Sequence, residues 1–370
     1  MTEILCVVGA RPNFMKIAPI MEAFARQPVA AKLLHTGQHY DPAMSESLFR
    51  QLGIPRPDIN LEVGSASHAV QTANIMRAFE PVLDAECPRA ILVVGDVNST
   101  LACALVAAKK GIRIIHVEAG LRSKDRNMPE EINRVLTDQI SDLLYTTERS
   151  ALANLLHEGI APERVHFVGN VMIDTLRAHL ERAVPVAKTL GGPCPRNYAL
   201  VTLHRPSNVD NPDILRRLLE TLAAMAQDVD VIFPIHPRTR AAAEQHHLTA
   251  LLEAPGMRLL APQGYLEMLG LMQHATLVVT DSGGIQEETT ALGVPCITVR
   301  DNTERPITVS DGTNTLTGPH PEAIMMCFRD IMKNGGKRGR IPEYWDGHAA
   351  LRIAAHVRAW LDGAAVGQSA

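Results

Sequence analysis

Aromatic residues make up only 4 % of the 370-residue chain. That is too few for the stacked platforms that hold single-stranded nucleic acid. Charge of one sign is lacking as well. With 36 Lys and Arg against 40 Asp and Glu, the net charge is −4. This gives no electrostatic case for nucleic acid or an anionic membrane as a partner. The six cysteines (Cys6, Cys87, Cys103, Cys194, Cys296 and Cys327) form no CxxC pair and no metal-ligand spacing. Several lie in apolar runs, where a thiol reads as a small buried group in a reducing compartment. No apolar run approaches the ~18 residues of a membrane helix. The opening MTEILCVVGARP enters a strand pattern directly, without the basic stretch, apolar stretch and cleavage site of a leader. These absences lead us to expect a soluble cytoplasmic protein with no metal site.

What is present is an alternation of short apolar runs and helical segments. ILCVVGA (4–10), AKLLHTG (31–37), AILVVGD (90–96), IRIIHVEAG (112–120), DLLYTT (142–147) and VHFVGN (165–170) read as strands of a first series. YALVTLH (198–204), VDVIFPIH (229–236), MRLLAP (257–262), ATLVVTD (275–281) and VPCITVR (294–300) read as a second. Helical patterns such as 14–26, 99–110 and 129–140 lie between them. The alternation predicts parallel sheets covered by helices on both faces. The fold class is thus α/β, with two Rossmann-like, doubly wound domains facing a central cleft. We expect an N-terminal domain over 1–172, joined by a C-terminal helix over about 348–366, and a second domain over 173–347. The Pro- and Gly-bearing stretch 183–197 is the expected linker.

Ligands of open parallel sheets bind beyond the carboxyl ends of the strands, and the unusual residues gather there. In TDSGGIQEETTALGVP (280–295), Ser282, Gly283 and Gly284 form a turn before a helix starting near Ile285. Free N–H groups and the helix dipole make this a phosphate seat. Glu288, one turn on, suits a ribose diol. In GARPNFMK (9–16), Arg11 and Lys16 flank a helix start and suit a diphosphate; taken singly they also read as solvated surface charge. In GDVNST (95–100), Asp96 ends a strand. It is either a cap, with Asn98 or Ser99 also available, or a desolvated carboxylate fit for proton transfer. TLHRPSNVD (202–210) brings His204 and Arg205 to a strand end, and HPRTR and DNTERP add His236 and Arg305.

The stretch HVEAGLRSKDRNMPEEINR (116–134) carries three Glu, one Asp and four Arg or Lys besides His116. Alternation predicts His116 and Glu118 on the same side of the strand. Pro129 suits the first helical position, and Glu130 with Arg134 forms an i,i+4 pair. A helix start explains those three residues but leaves Glu118 and Glu131 without a task.

The ordered set GARPNFMKIAP, GDVNSTLA, HVEAGLRS, MPEEINRVLTD, TLHR, TDSGGIQEE and RDNTERP resembles the non-hydrolysing UDP-N-acetylglucosamine 2-epimerases over about residues 4–345. The resemblance implies a glycosyltransferase-B-like fold and interconversion of UDP-GlcNAc and UDP-ManNAc. It implies neither metal nor nicotinamide, elimination of UDP to 2-acetamidoglucal with re-addition, and a homodimer. It makes Asp96, Glu118 and Glu131 the acid/base candidates and His204 a stabiliser of the leaving diphosphate or a proton shuttle. Arg11, Lys16, Ser282, Gly283, Gly284 and Arg305 would then bind phosphates, and Glu288 the ribose. Arg134, Arg205 and His236 join the substrate-binding set. Three places depart from the family pattern: Pro206-Ser207-Asn208 after the His-Arg pair, Met268 where several members place Phe beside uracil, and Gln38-His39-Tyr40-Asp41 where members with a second UDP-GlcNAc site carry QHR. The last gives no basis for allostery. The departures also leave room for a hydrolysing relative, for a related sugar such as a 2,3-diacetamido uronic acid, or for a glycosyltransferase.

Overall fold

The computed structural model describes residues 2–38 and 49–367. The side chain of Arg11 and residues 39–41 of the departing QHYD stretch lie outside the described residues. The chain divides into two compact units, one running to Ala178 and resuming at Glu343, the other His179–Pro342.

The first unit carries a seven-stranded sheet built from β1 (Ile4–Val8), β2 (Ala31–His35), β3 (Ile59–Asn60), β4 (Ala90–Val94), β5 (Arg113–Ala119), β6 (Leu143–Thr146) and β7 (Val165–Phe167). Its order is β3-β2-β1-β4-β5-β6-β7, and every pairing is parallel. The second unit carries β8 (Tyr198–Thr202), β9 (Asp230–Pro234), β10 (Met257–Leu260), β11 (Leu277–Thr280), β12 (Cys296–Thr298) and β13 (Asn314–Leu316). Their order is β10-β9-β8-β11-β12-β13, again all parallel. The two sheets thus share one winding. The central strands are buried on both faces, which is why Ile4–Val8 and Ala90–Val94 read as unbroken apolar runs. Winding reverses beside β1 in one sheet and β8 in the other, and the reversal opens a crevice at the carboxyl ends of β1 and β4, and of β8 and β11.

Two strands have no counterpart in the apolar runs. β3 and β13 are edge strands of two and three residues, too short to need an apolar run. The expected caps of the helix Asn98–Lys109 are replaced too. Val97 occupies the cap without a side-chain bond. Asn98 donates instead to Gln71 Oε1, and Ser99 donates through N–H and hydroxyl to Gln38 Oε1. The helix expected to begin near Ile285 begins at Gly283, because Ser282 already has extended backbone. All six cysteines are free thiols, with Cys6, Cys103 and Cys296 buried. Among the described residues no helix is long and apolar enough to cross a membrane.

The closing helix Ala349–Gly367 belongs to the first unit. Ile353, Ala354, Val357 and Leu361 make one buried stripe at helical spacing, and the helix packs on Arg11–Arg26. Its first turn is capped from a distance in sequence. The Asp174 carboxylate accepts the N–H of Ala349 at 3.1 Å and of Ala350 at 2.7 Å. A cap of this kind contributes about 1–2 kcal/mol. Asp174→Ala is therefore expected to lower the free energy of unfolding by that amount in a denaturant titration, and Asp174→Asn by less. An unchanged midpoint for Asp174→Ala would show that the cap is not holding the helix.

Candidate active site

In the first unit, three strand ends and two helix starts meet. Asn13 secures the turn after β1. Its Oδ1 accepts the N–H of Gly9 at 3.2 Å and of Ala10 at 3.0 Å, and its Nδ2 donates to Val94 O at 2.9 Å. The ends of β1 and β4 are thereby tied together. One turn along the same helix, buried Lys16 reaches Glu118 Oε2 at 2.6 Å. Gly95 has φ 67°, and a Cβ there would stand 2.9 Å from Lys16 Nζ. Glycine at 95 therefore serves both the backbone turn and the passage of the lysine.

Glu118 does not follow the strand. The register between β5 and β6 shifts between Val117 and Ala119, and Glu118 has φ 72°. A left-handed non-glycine residue in a bulge re-aims its side chain. This corrects the alternation argument. His116 turns to Asp138 of the helix Pro129–Ile140 (2.6 Å), whereas Glu118 turns to Lys16 of the helix Arg11–Arg26.

Arg134 is buried, and its guanidinium joins two candidate carboxylates. Nη1 lies 2.6 Å from Glu131 Oε2, and Nη2 pairs with Asp96 Oδ2. The expected pair with Glu130 is not the one formed: Arg134 faces the strand ends, where half-buried Asp96 and buried Glu131 are its partners. Half-buried Asp96 is also held by its carbonyl, which accepts from Asn133 Nδ2 at 2.9 Å. Glu131 accepts from Ser123 N–H and hydroxyl, both at 3.0 Å, and from Lys124 N–H at 2.8 Å. It thus folds the loop after β5 onto the helix start. Asp96 and Glu131 share one cation, and Glu118 has its own.

Sequence reading missed Asp138 and Glu158. The Arg122 guanidinium stands 2.7 Å from Asp138 and 2.5 Å from Glu158. Asp138 lies within TDQI, a polar group in a helix that a surface face would also contain.

In the second unit, Asp281 at the end of β11 is wholly buried. Its carboxylate accepts the N–H of His204 at 3.0 Å, the N–H of Arg205 at 2.9 Å and Asn208 Nδ2 at 3.2 Å. His204 Nδ1 stands 2.8 Å from it. Burial pushes this carboxyl up, but His204 and the two N–H groups outweigh that and hold it below the ordinary range. With Nδ1 committed, the ring presents its Nε2 edge outward, and the side chain is 39 % exposed. The His236 ring lies 5.7 Å from His204, and its Nδ1 accepts Arg238 N–H at 3.2 Å. Ser282 stands at the N-terminus of the helix Gly283–Leu292 without a side-chain cap. Ser282 and Gly284 are half-buried and Gly283 buried. A Cβ at Gly283 would meet Glu304 Oε1 at 2.6 Å. Glu304 bonds Arg300 at 2.7 Å and lies 3.9 Å from Arg205, and Arg305 turns to Glu287 at 2.8 Å. Glu288 is buried beside Tyr265, and half-buried Met268 lies on the same helix as that tyrosine.

Among the described residues, no group of three or more His, Cys, Asp or Glu is placed to hold a metal ion.

Two doubly wound units, each with charged groups gathered at its strand ends, define an α/β protein of glycosyltransferase-B-like fold. The family model described as UDP-N-acetylglucosamine 2-epimerase matches residues 22–358. A UDP-N-acetylglucosamine 2-epimerase of Methanococcus maripaludis is 42 % identical over 341 residues, covering 90 % of this chain and 93 % of the relative. A UDP-2,3-diacetamido-2,3-dideoxy-D-glucuronate 2-epimerase of Pseudomonas aeruginosa is 41 % identical over 360 residues, covering 96 % and 99 %. The crystal structure of the Methanocaldococcus jannaschii UDP-GlcNAc 2-epimerase in complex with UDP-GlcNAc and UDP superposes with a TM-score of 0.86 at 40 % identity, covering 96 % of this chain and 99 % of that one. The chain belongs to the UDP-N-acetylglucosamine 2-epimerase family.

Burial pushes the Glu288 carboxyl up to about 7, with Glu287 adding to the rise and the Tyr265 hydroxyl opposing it. A raised acid favours the fold when protonated. That contribution is complete below the ordinary 4.5 and is lost as pH rises through about 7. In the nucleotide-free protein, Glu288→Gln is expected to gain stability relative to the natural chain between pH 5 and pH 8, by at most about 3 kcal/mol. A Tm difference that stays flat over this range would contradict the buried-acid assignment.

Proposed function

We propose that this protein is a non-hydrolysing UDP-N-acetylglucosamine 2-epimerase, acting on UDP-GlcNAc and UDP-ManNAc in the cytoplasm as a homodimer. The observation that carries the reading is the carboxylate cluster of the first unit, Asp96 and Glu131 on one guanidinium with Glu118 on Lys16, in a chain of this family. Inverting C2 requires its proton to leave one face and a proton to return on the other. A carboxylate removes the C2 proton, the C1–C2 double bond forms, and the C1–O bond breaks with its electrons passing to the UDP oxygen. The product pair is 2-acetamidoglucal and UDP. UDP oxygen then adds back at C1 as an acid delivers a proton to the opposite face of C2. Asp96, Glu118 and Glu131 are the groups proposed for these transfers, and Arg134 positions two of them.

The second unit carries groups of the kind a leaving diphosphate needs. His204, oriented by Asp281, and the uncapped helix start at Ser282 to Gly284 stabilise developing negative charge. Arg11, Lys16, Arg205, His236 and Arg305 complete the proposed binding set, with Glu288 at the ribose. The hydrolysing alternative would release free ManNAc.

Incubation with UDP-GlcNAc in deuterium oxide, followed by NMR, tests the reading. UDP-ManNAc labelled at C2 is expected. Free ManNAc would mark a hydrolase, and an inert UDP-GlcNAc with a turned-over 2,3-diacetamido uronate would move the substrate while keeping the chemistry. Glu131→Gln is expected to lower kcat by roughly a hundredfold or more with UDP still bound; near-normal turnover would return Glu131 to holding the loop alone.

A further inference from the structure

His116 is completely buried and makes two contacts in line with its ring nitrogens. Nδ1 is 2.6 Å from Asp138 Oδ1, and Nε2 is 2.8 Å from the carbonyl oxygen of Gly95. A carbonyl oxygen only accepts, so Nε2 carries a hydrogen. A second hydrogen must lie between Nδ1 and Oδ1, since two bare acceptors would not approach so closely. Asp138 is already served as an anion, because its Oδ2 accepts Gly120 N–H at 3.0 Å and stands 2.7 Å from the Arg122 guanidinium. The second hydrogen therefore belongs to Nδ1. The charges then balance. His116 and Arg122 are two cations, and Asp138 and Glu158 are two anions, so no uncompensated charge is buried.

We infer that His116 is held as a buried imidazolium whose Nε2–H pins the Gly95–Asp96 turn, and that it is a positioning residue for the Asp96 carboxylate. The carbonyl it grips belongs to the peptide group that leads into Asp96. That turn is left-handed at Gly95, and the N–H of Gly95 donates to Val117 O at 3.1 Å. A charge-assisted bond is about twice as strong as a neutral one, so the turn is fixed from the strand side by His116 while Arg134 and Asn133 hold Asp96 from the helix side. His116 touches no reacting atom in this account. It extends the proposed function, because Asp96 matters only if the chain moves protons at C2.

The test uses the intact protein with nitrogen-15-labelled histidine. In the wild-type protein near neutral pH, both ring nitrogens of His116 are expected at the shifts of protonated imidazolium, with the signals identified by their loss in His116→Gln. One pyridine-like nitrogen would overturn the inference. In Asp138→Asn the ring is expected to become neutral; two protonated nitrogens there would also overturn it. His116→Gln keeps a donor for Gly95 but loses the charge. It is expected to reduce kcat about tenfold to hundredfold with KM within about threefold. Unchanged kcat in a folded His116→Gln would overturn the positioning role. Absence of wild-type turnover would defeat the proposed function instead, and the nitrogen shifts would still report on His116.

Discussion

The Arg134 guanidinium is the contact on which the rest of the site depends. It is buried, and it bridges the carboxylates of Asp96 and Glu131, which come from a strand end and a helix start. Two carboxylates brought together without a cation repel, and one of them would be driven to its neutral form. With Arg134 between them, the Gly95–Asp96 turn, the first turn of Pro129–Ile140 and the loop at Ser123–Lys124 become one rigid assembly. Removing one member of such a buried set costs about 3–5 kcal/mol, because the partners are left buried with uncompensated charge.

The two units use one winding for opposite electrostatic purposes. At the switch point of the first sheet the strand ends carry acids, each answered by a buried cation. At the switch point of the second, the wholly buried acid Asp281 is spent on orienting His204, and the helix start at Gly283 presents the positive end of its dipole. The proposed function assigns proton transfer and charge stabilisation to different units of the same topology.

The central strands were legible because burial on both faces leaves apolar runs, and Pro129–Ile140 was legible to the residue because Pro129 and an acidic first turn mark its start. The edge strands β3 and β13 were not, since two or three residues at a sheet edge need no such run. Glu118 and Glu131 stood out in the sequence as residues left over after the helix start was filled, and Asp96 as either a cap or a desolvated carboxylate. Their partners did not stand out. Arg134 was matched by sequence spacing to Glu130, whereas in the structure it faces Glu131 and the strand end at Asp96. Glu118 was placed by alternation, whereas a bulge with a left-handed glutamate re-aims it. Asp138 escaped notice because a buried acid facing His116 has the same local sequence as one facing water.

The central claim is that Arg134 holds the carboxylates proposed for proton transfer rather than the nucleotide. The direct measurement is kcat for UDP-GlcNAc epimerisation and Kd for UDP on one preparation of folded Arg134→Met. The account predicts a fall in kcat of roughly a hundredfold or more, with Kd within about threefold of the natural protein, because the groups proposed for the nucleotide lie chiefly in the second unit. A variant that keeps its kcat, or that loses UDP binding as steeply as turnover, would contradict it.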